Sequence, residues 1–228
     1  MIKAIVFDLD NTLLDFSGFK RESALAAAKA IREAGVKAGE RELYGKIFAI
    51  YETRGIEYQR TFEELLSGYV LGPHLHEHAK QAAIIAYEKK KYALLRPRPK
   101  VVGTLKKLKQ SYKLGIVSDA PREKAWQRLI LSGLDHLFDV VVTYEDTKEL
   151  KPSKQPFLRV VHLLGVSPRE ALFVGDNPER DIIGAKKAGL LTCLAKYGCQ
   201  RYSEEENVAD FTIERFEGIV KVVKELEE

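Results

Sequence analysis

The sequence predicts an α/β protein: a doubly wound core built on a parallel five-stranded sheet, interrupted by an all-helical insert. Three observations carry that expectation. Five short segments rich in Val, Ile, Leu and Phe are separated by stretches with helical character, the alternation expected of a sheet covered on both faces. About 100 residues separate the first two of these segments, far more than one crossover helix needs. The polar residues able to do chemistry collect just after the apolar segments.

Taken in order, Ile2-Lys3-Ala4-Ile5-Val6-Phe7 reads as a buried strand ending at Asp8. Residues 15–95 form the expected insert. Within it, residues 19–33 are Ala-rich with spaced charges and end near Gly35, and residues 40–52 and 62–70 are further helical stretches. Gly72-Pro73 breaks the chain before residues 74–92, where Ala79, Ala82, Ala83, Ala86 and Tyr87 share a face. The insert is entered through residues 15–18 and left through Arg96-Pro97-Arg98-Pro99, whose prolines keep the exit extended, as a hinge would be. Residues 113–118, 139–143, 171–175 and 190–195 supply the other four strands. The core therefore comprises residues 1–14 and 96–228.

The composition excludes several classes. A chain of 228 residues with 45% hydrophobic and 31% charged residues can bury a core and is not a disordered one. Its apolar runs are strand-length, well short of the roughly 20 residues of a membrane span. The start lacks a signal-peptide layout, because Asp8 and Asp10 arrive where an apolar stretch would continue, so a cytoplasmic location is expected. The net charge of +4 is mild, and basic clusters such as Lys89-Lys90-Lys91 read as solvated helix faces. Nothing marks a nucleic-acid-binding module. Cys193 and Cys199 have no metal-like or redox-like spacing, and Cys193 is expected inside a strand. The few Met and Cys and many Lys, Arg and Glu lean toward a thermophile's composition.

At the strand ends the sequence places Asp8-Leu9-Asp10-Asn11-Thr12, then Ser118-Asp119, then Gly175-Asp176 with Asp181 five positions on. Lys151-Pro152-Ser153-Lys154 precedes the fourth strand. In open parallel sheets ligands bind outside the carboxyl ends of the strands. This ordered set resembles the four motifs of the haloacid dehalogenase-like hydrolase superfamily, over the whole chain: Asp8 and Asp10 match the first, Ser118 the second, Lys151 the third, Asp176 and Asp181 the fourth. The insert lies where that family places its helical cap, and Phe7-Asp8-Leu9-Asp10-Asn11-Thr12-Leu13 looks most like the phosphatase branch, among phosphoglycolate, sugar-phosphate and nucleotide phosphatases.

The resemblance implies a Rossmann-like core with strand order 5-4-1-2-3 and a cap that closes over Asp8. It implies a Mg2+-dependent phosphatase in which Asp8 is the nucleophile and forms an aspartyl phosphate, and Asp10 is the general acid and base. Ser118, Asp119 and Lys151 would bind the substrate's phosphoryl group. Asp8, Asp176, Asp181 and the backbone carbonyl of Asp10 would serve the metal. These roles make physical sense, since a carboxylate cannot approach a dianionic phosphate without charge neutralisation, which a hard cation supplies. The family's third motif usually carries a second proline where Lys154 stands, which leaves Lys154 as a helper or substitute for Lys151. The expected partner is a small phosphorylated metabolite such as a triose phosphate, phosphoglycolate, a sugar phosphate or a nucleoside monophosphate, acted on by a monomer or small homo-oligomer.

Other functions fit less of the pattern. A haloacid dehalogenase would lack the second aspartate that stands here as Asp10, whereas a sugar phosphomutase would keep every motif. A phospho-accepting regulatory protein would carry its aspartate after the third strand and have no such insert. His74, His76 and His78 offer two ligands on one helix face without a third nearby, so a solvated helix start is expected. Trp126 is expected to pack its helix against the sheet. Tyr51, Arg54, Tyr58 and Arg60 are expected at packing or exposed positions of the insert.

Overall fold

The computed structural model describes residues 1–200, 203 and 208–228. In chain order the elements are β1 (Ala4–Phe7), α1 (Phe16–Glu33), α2 (Glu40–Arg54), α3 (Thr61–Ser67), α4 (Pro73–Leu94), α5 (Val101–Leu108), β2 (Lys113–Val117), α6 (Arg122–Ser132), β3 (Val140–Val142), α7 (Tyr144–Thr147), α8 (Gln155–Leu164), β4 (Ala171–Gly175), α9 (Ile183–Lys187), β5 (Leu191–Ala195), β6 (Phe211–Ile213) and α10 (Ile219–Glu225). They divide into two compact units, Met1–Asp15 with Arg96–Glu228, and Phe16–Leu95.

In the first unit the sheet runs β3-β2-β1-β4-β5-β6, with every pairing parallel. Its first five strands follow the expected order. The sixth, β6, pairs with β5 and extends the sheet by one short edge strand that the sequence did not announce. β1 is central and buried at every residue, which is why it reads as an unbroken apolar run. Its side chains alternate between faces. Ala4 and Val6 join Phe157, Val160 and Leu164 of α8 in one core layer, while Phe7 meets Phe138 and Phe216 on the other face. Gly115 in β2 lets α8 come close, since a Cβ there would stand 2.9 Å from Val160 Cγ2. Cys193 is buried in β5, as expected.

The helix after β2 corrects one expectation. Trp126 is 41% exposed and does not pack on the sheet; the buried face of α6 is Ala125, Arg128 and Leu129. Those positions, spaced by three and four, form one stripe of a helix, and Trp126 lies one residue off it.

The second unit is helical throughout. α1 packs along α4, and the seam is closed by Ala24, Ala27 and Ala28 from α1 and Ala79 and Ala83 from α4, all fully buried. Small side chains let the two backbones approach closely. Leu43, Ile47 and Leu66 fill the space toward α2 and α3. Tyr51 is buried in this core and Arg54 pairs with Glu64. His74 and His78 stack on the exposed start of α4. No helix among the described residues is long and apolar enough to cross a membrane.

Candidate active site

The backbone around β1 is shaped to bring several chain segments to one point. The Asp8 N–H donates to Val174 O at 2.9 Å, and the Ser118 N–H to Val142 O at 2.9 Å, so the sheet ladder continues to the first functional residues. Beyond Asp8 the chain turns through Asn11 at φ 65°, a left-handed conformation that asparagine tolerates better than most residues. Arg98 Nε caps the turn by donating to Asn11 O at 2.9 Å. Two glycines make room. A Cβ at Gly175 would lie 2.5 Å from Asp181 Oδ2, so its absence lets the Asp181 carboxylate rest against the end of β4. A Cβ at Gly198 would strike Asn11 O and stand 2.8 Å from Asp176 Cβ.

Asp181 lies on a single π-helical turn, Pro178–Ile182, that leads into α9. Asn177 accepts from the Arg180 N–H, and Asp181 Oδ2 accepts from the Asn177 N–H at 3.0 Å. The turn thus aims Asp181 back toward the sheet, a placement with which its complete burial agrees.

At the centre stands Lys151, its Nζ 2.6 Å from Asp8 Oδ1 and 2.7 Å from Asp181 Oδ1. Thr12 Oγ1 lies 3.1 Å from Asp8 Oδ2 and 3.2 Å from Asp176 Oδ1, tying the first acidic segment to the last. Asp8, Asp176 and Asp181 each present a carboxylate oxygen within 4.8 Å of the others, and all three are buried. Lys154, by contrast, is exposed.

This packing of charge perturbs Asp8, Asp176 and Lys151. Burial, reinforced by Asp181 and Asp10 and opposed by Lys151, pushes the Asp8 carboxyl up to about 7. Burial together with the charges of Asp8 and Asp181 pushes Asp176 up to about 9. For Lys151, burial pulls downward, but Asp181 and Asp8 outweigh it and hold the ammonium above its ordinary range. Three carboxylates around one ammonium leave an excess of buried negative charge when all are ionised. A divalent cation with a preference for hard oxygen donors fits that excess and that donor set, and Mg2+ has both properties.

The remaining expected residues surround this group. Ser118 is buried at the end of β2, and its Oγ accepts from the Ala120 N–H at 3.2 Å. Asp119 Oδ1 accepts the Lys151 N–H at 2.9 Å while its Oδ2 pairs with Arg180 at 3.3 Å, so its carboxylate ties the Lys151 segment to the turn carrying Asp181. Asp10 faces α6, where Arg128 Nη1 lies 2.5 Å from its Oδ2. Sequence reasoning missed three participants: Arg128, Arg180 and the bridging hydroxyl of Thr12. Thr12 stood inside the first motif; the two arginines belong to none of the four motifs.

Residues 2–189 match the haloacid dehalogenase-like hydrolase family. The chain is 36% identical to a glyceraldehyde 3-phosphate phosphatase of Methanopyrus kandleri over 99% of both chains. It is 30% identical to a phosphoglycolate phosphatase of Aquifex aeolicus over 97% of both. Its fold superimposes on magnesium-bound YfnB of Bacillus subtilis with a TM-score of 0.70 at 22% identity, covering 97% of this chain and 98% of the other. With its parallel sheet, its helical insert after β1 and its buried acidic cluster, the chain belongs to the haloacid dehalogenase-like hydrolase family, in the phosphatase branch.

Proposed function

We propose that this protein is a Mg2+-dependent cytoplasmic phosphatase that hydrolyses a small phosphomonoester, glyceraldehyde 3-phosphate first among the candidates and phosphoglycolate second. The observation that carries the reading is the buried group at the strand ends: Asp8, whose one oxygen meets Lys151 and whose other meets Thr12, beside Asp176 and Asp181. The names of the relatives at 36% and 30% identity support the choice of substrate.

In this mechanism an Asp8 oxygen attacks phosphorus in line, the bond to the ester oxygen breaks, and the leaving alkoxide takes a proton from Asp10. Water then attacks the aspartyl phosphate, giving up a proton to Asp10 and releasing inorganic phosphate with Asp8 restored. Lys151 and Ser118 hold equatorial oxygens of the transferring group, where negative charge spreads in the transition state. Asp119 supports them by fixing the Lys151 backbone. Mg2+ held by Asp8, Asp176, Asp181 and the Asp10 carbonyl would supply the positive charge that lets a carboxylate approach a phosphate dianion.

The test is phosphate release from glyceraldehyde 3-phosphate, phosphoglycolate, hexose phosphates and nucleoside monophosphates, with Mg2+ or with chelator. The expected result is turnover only with Mg2+, with the highest kcat/KM on glyceraldehyde 3-phosphate. Absence of release from every ester in the presence of Mg2+ would overturn the phosphatase reading; isomerisation of a sugar phosphate without release would replace it with a phosphomutase.

A further inference from the structure

Arg128 is 4% exposed, on the stripe of α6 that also carries Ala125 and Leu129. Burying a guanidinium there is costly. A leucine would fill such a helix face without taking a charge out of water, whereas a buried arginine needs a charged or hydrogen-bonding partner. Its Nη1 lies 2.5 Å from Oδ2 of Asp10, and both residues lie in the same compact unit, on segments 118 positions apart.

The geometry points to Arg128 as a positioning residue for Asp10, the group that gives a proton to the leaving oxygen and takes one from the attacking water. The inference rests on the acid–base role proposed for Asp10. A carboxylate at the end of a short, freely rotating stem can swing about its χ angles, and proton transfer needs it within hydrogen-bond reach of the ester oxygen. An arginine is suited to this task because its planar fork is rigid and cannot lose its charge. By gripping Oδ2 it fixes the rotamer of Asp10 and so the direction in which the other oxygen faces. Arg128 itself touches Asp10 rather than the acidic cluster, and acts through it.

The consequence differs between substrates. When phosphorus is transferred from an alkyl ester to Asp8, the ester P–O bond breaks and the departing alkoxide must gain a proton. A nitrophenolate is stable enough to leave without one. The ratio kcat/KM covers only the steps up to that first irreversible transfer, so it isolates the acid from the later hydrolysis of the phosphoenzyme.

The experiment measures kcat/KM for glyceraldehyde 3-phosphate and for p-nitrophenyl phosphate in wild type, Arg128→Met, Arg128→Lys, Asp10→Asn and the Asp10→Asn/Arg128→Met double variant. We expect Arg128→Met to lose about 100-fold on the alkyl ester and less than about threefold on the aryl ester, within the range general-acid catalysis supplies. Asp10→Asn should show the same asymmetry, and the double variant should be no worse than Asp10→Asn alone. Arg128→Lys, which keeps the charge but not the fork, should recover part of the loss, and it carries the test if the Met variant fails to fold. Equal losses on both esters, or losses that multiply in the double variant, would overturn the role of Arg128. If Asp10→Asn itself affects both esters equally, the acid role of Asp10 falls, and Arg128's with it; asymmetry in Asp10→Asn without asymmetry at Arg128 sinks the present inference alone.

Discussion

At the C-terminal ends of β1 and β4, Asp8, Asp176, Asp181 and Lys151 lie buried within a few ångströms of one another, whereas the seam between α1 and α4 is closed by five alanines. Both regions are buried, and both depend on close approach. In the insert, close approach is gained by removing side-chain volume, and the apolar contacts it allows favour the folded state. At the sheet edge, glycines at 175 and 198 remove volume so that charged groups can meet, and those groups oppose folding as much as they favour it. The difference separates what stabilises this protein from what makes it reactive, and substitutions in the two regions should fail in different ways.

Asp8→Asn should give the largest effect on activity and the least harm to stability. Removing the nucleophile should lower kcat by at least about 10⁴-fold, as loss of a covalent catalyst commonly does. The same change removes one of three like charges from a buried cluster, so the melting temperature in chelator should stay level or rise. Turnover retained by the variant would refute the nucleophile; a large drop in melting temperature would show that the acidic cluster is a stabilising feature after all.

Lys151→Met should damage both properties. It removes the ammonium that pairs with both Asp8 and Asp181 and leaves their carboxylates without that partner. Breaking a buried pair in this way costs about 3–5 kcal/mol, readable by denaturant unfolding, and activity should fall about 10²–10³-fold through lost stabilisation of the transferring phosphoryl group. Mg2+ should restore part of the stability but little of the activity. Wild-type stability of this variant in chelator would mean that the carboxylates simply hold their protons when the lysine is gone.

The acidic edge should also make stability depend on pH in a direction opposite to that of an ordinary ion-paired carboxylate. Asp8 and Asp176 start from a carboxylate value of 3.8 and are raised to about 7 and about 9 in the folded state. The folded protein therefore holds protons that the unfolded chain has already lost. Their contribution is fully present below pH 3.8 and is lost as pH rises through about 7 and then about 9. Mg2+ binds the deprotonated carboxylates, so it competes with these protons and gains as they leave. Melting curves with Mg2+ and with chelator from pH 5 to 9 should diverge, the Mg2+ gain growing by several degrees across the range. A gain independent of pH would place the metal away from these two residues.

Much of this was legible in the sequence because the sheet edge writes itself in short motifs. Asp8 and Asp176 follow apolar strands directly, with Asp10 and Asp181 two and five positions further on, and a parallel sheet brings the ends of β1 and β4 side by side whatever the loops do. The five expected strands were clear for the same reason: strands buried on both faces show as apolar runs. β6 was not: the equally short edge strand β3 reads Val140-Val141-Val142, whereas Phe211-Thr212-Ile213 is interrupted by an exposed threonine. Trp126 was misjudged, and Arg128 on the same helix went unnoticed. By hydropathy the tryptophan belongs inside and the arginine outside, and helical phase alone, through Ala125 and Leu129, puts them the other way round. What the phase cannot disclose is the reason an arginine is tolerated there, because its partner Asp10 is far away in the chain.

The insert offers the smallest and most selective test of the contrast. Ala27 is fully buried in the α1–α4 seam, where nothing but volume is at stake. Ala27→Leu forces side-chain atoms into a closed interface, so α1 and α4 must separate or neighbouring side chains must leave their preferred rotamers, at about 1–3 kcal/mol. The variant should melt earlier by several degrees and show the same pH-dependent Mg2+ gain as the parent, because the acidic edge belongs to the other compact unit. With p-nitrophenyl phosphate well below the melting range, kcat should remain within about threefold of wild type, against the losses of about 10² or more expected at the sheet edge. If overpacking the alanine seam abolished the Mg2+ gain, the two regions would be energetically one, and burial of charge at the strand ends would depend on the insert as much as on the sheet.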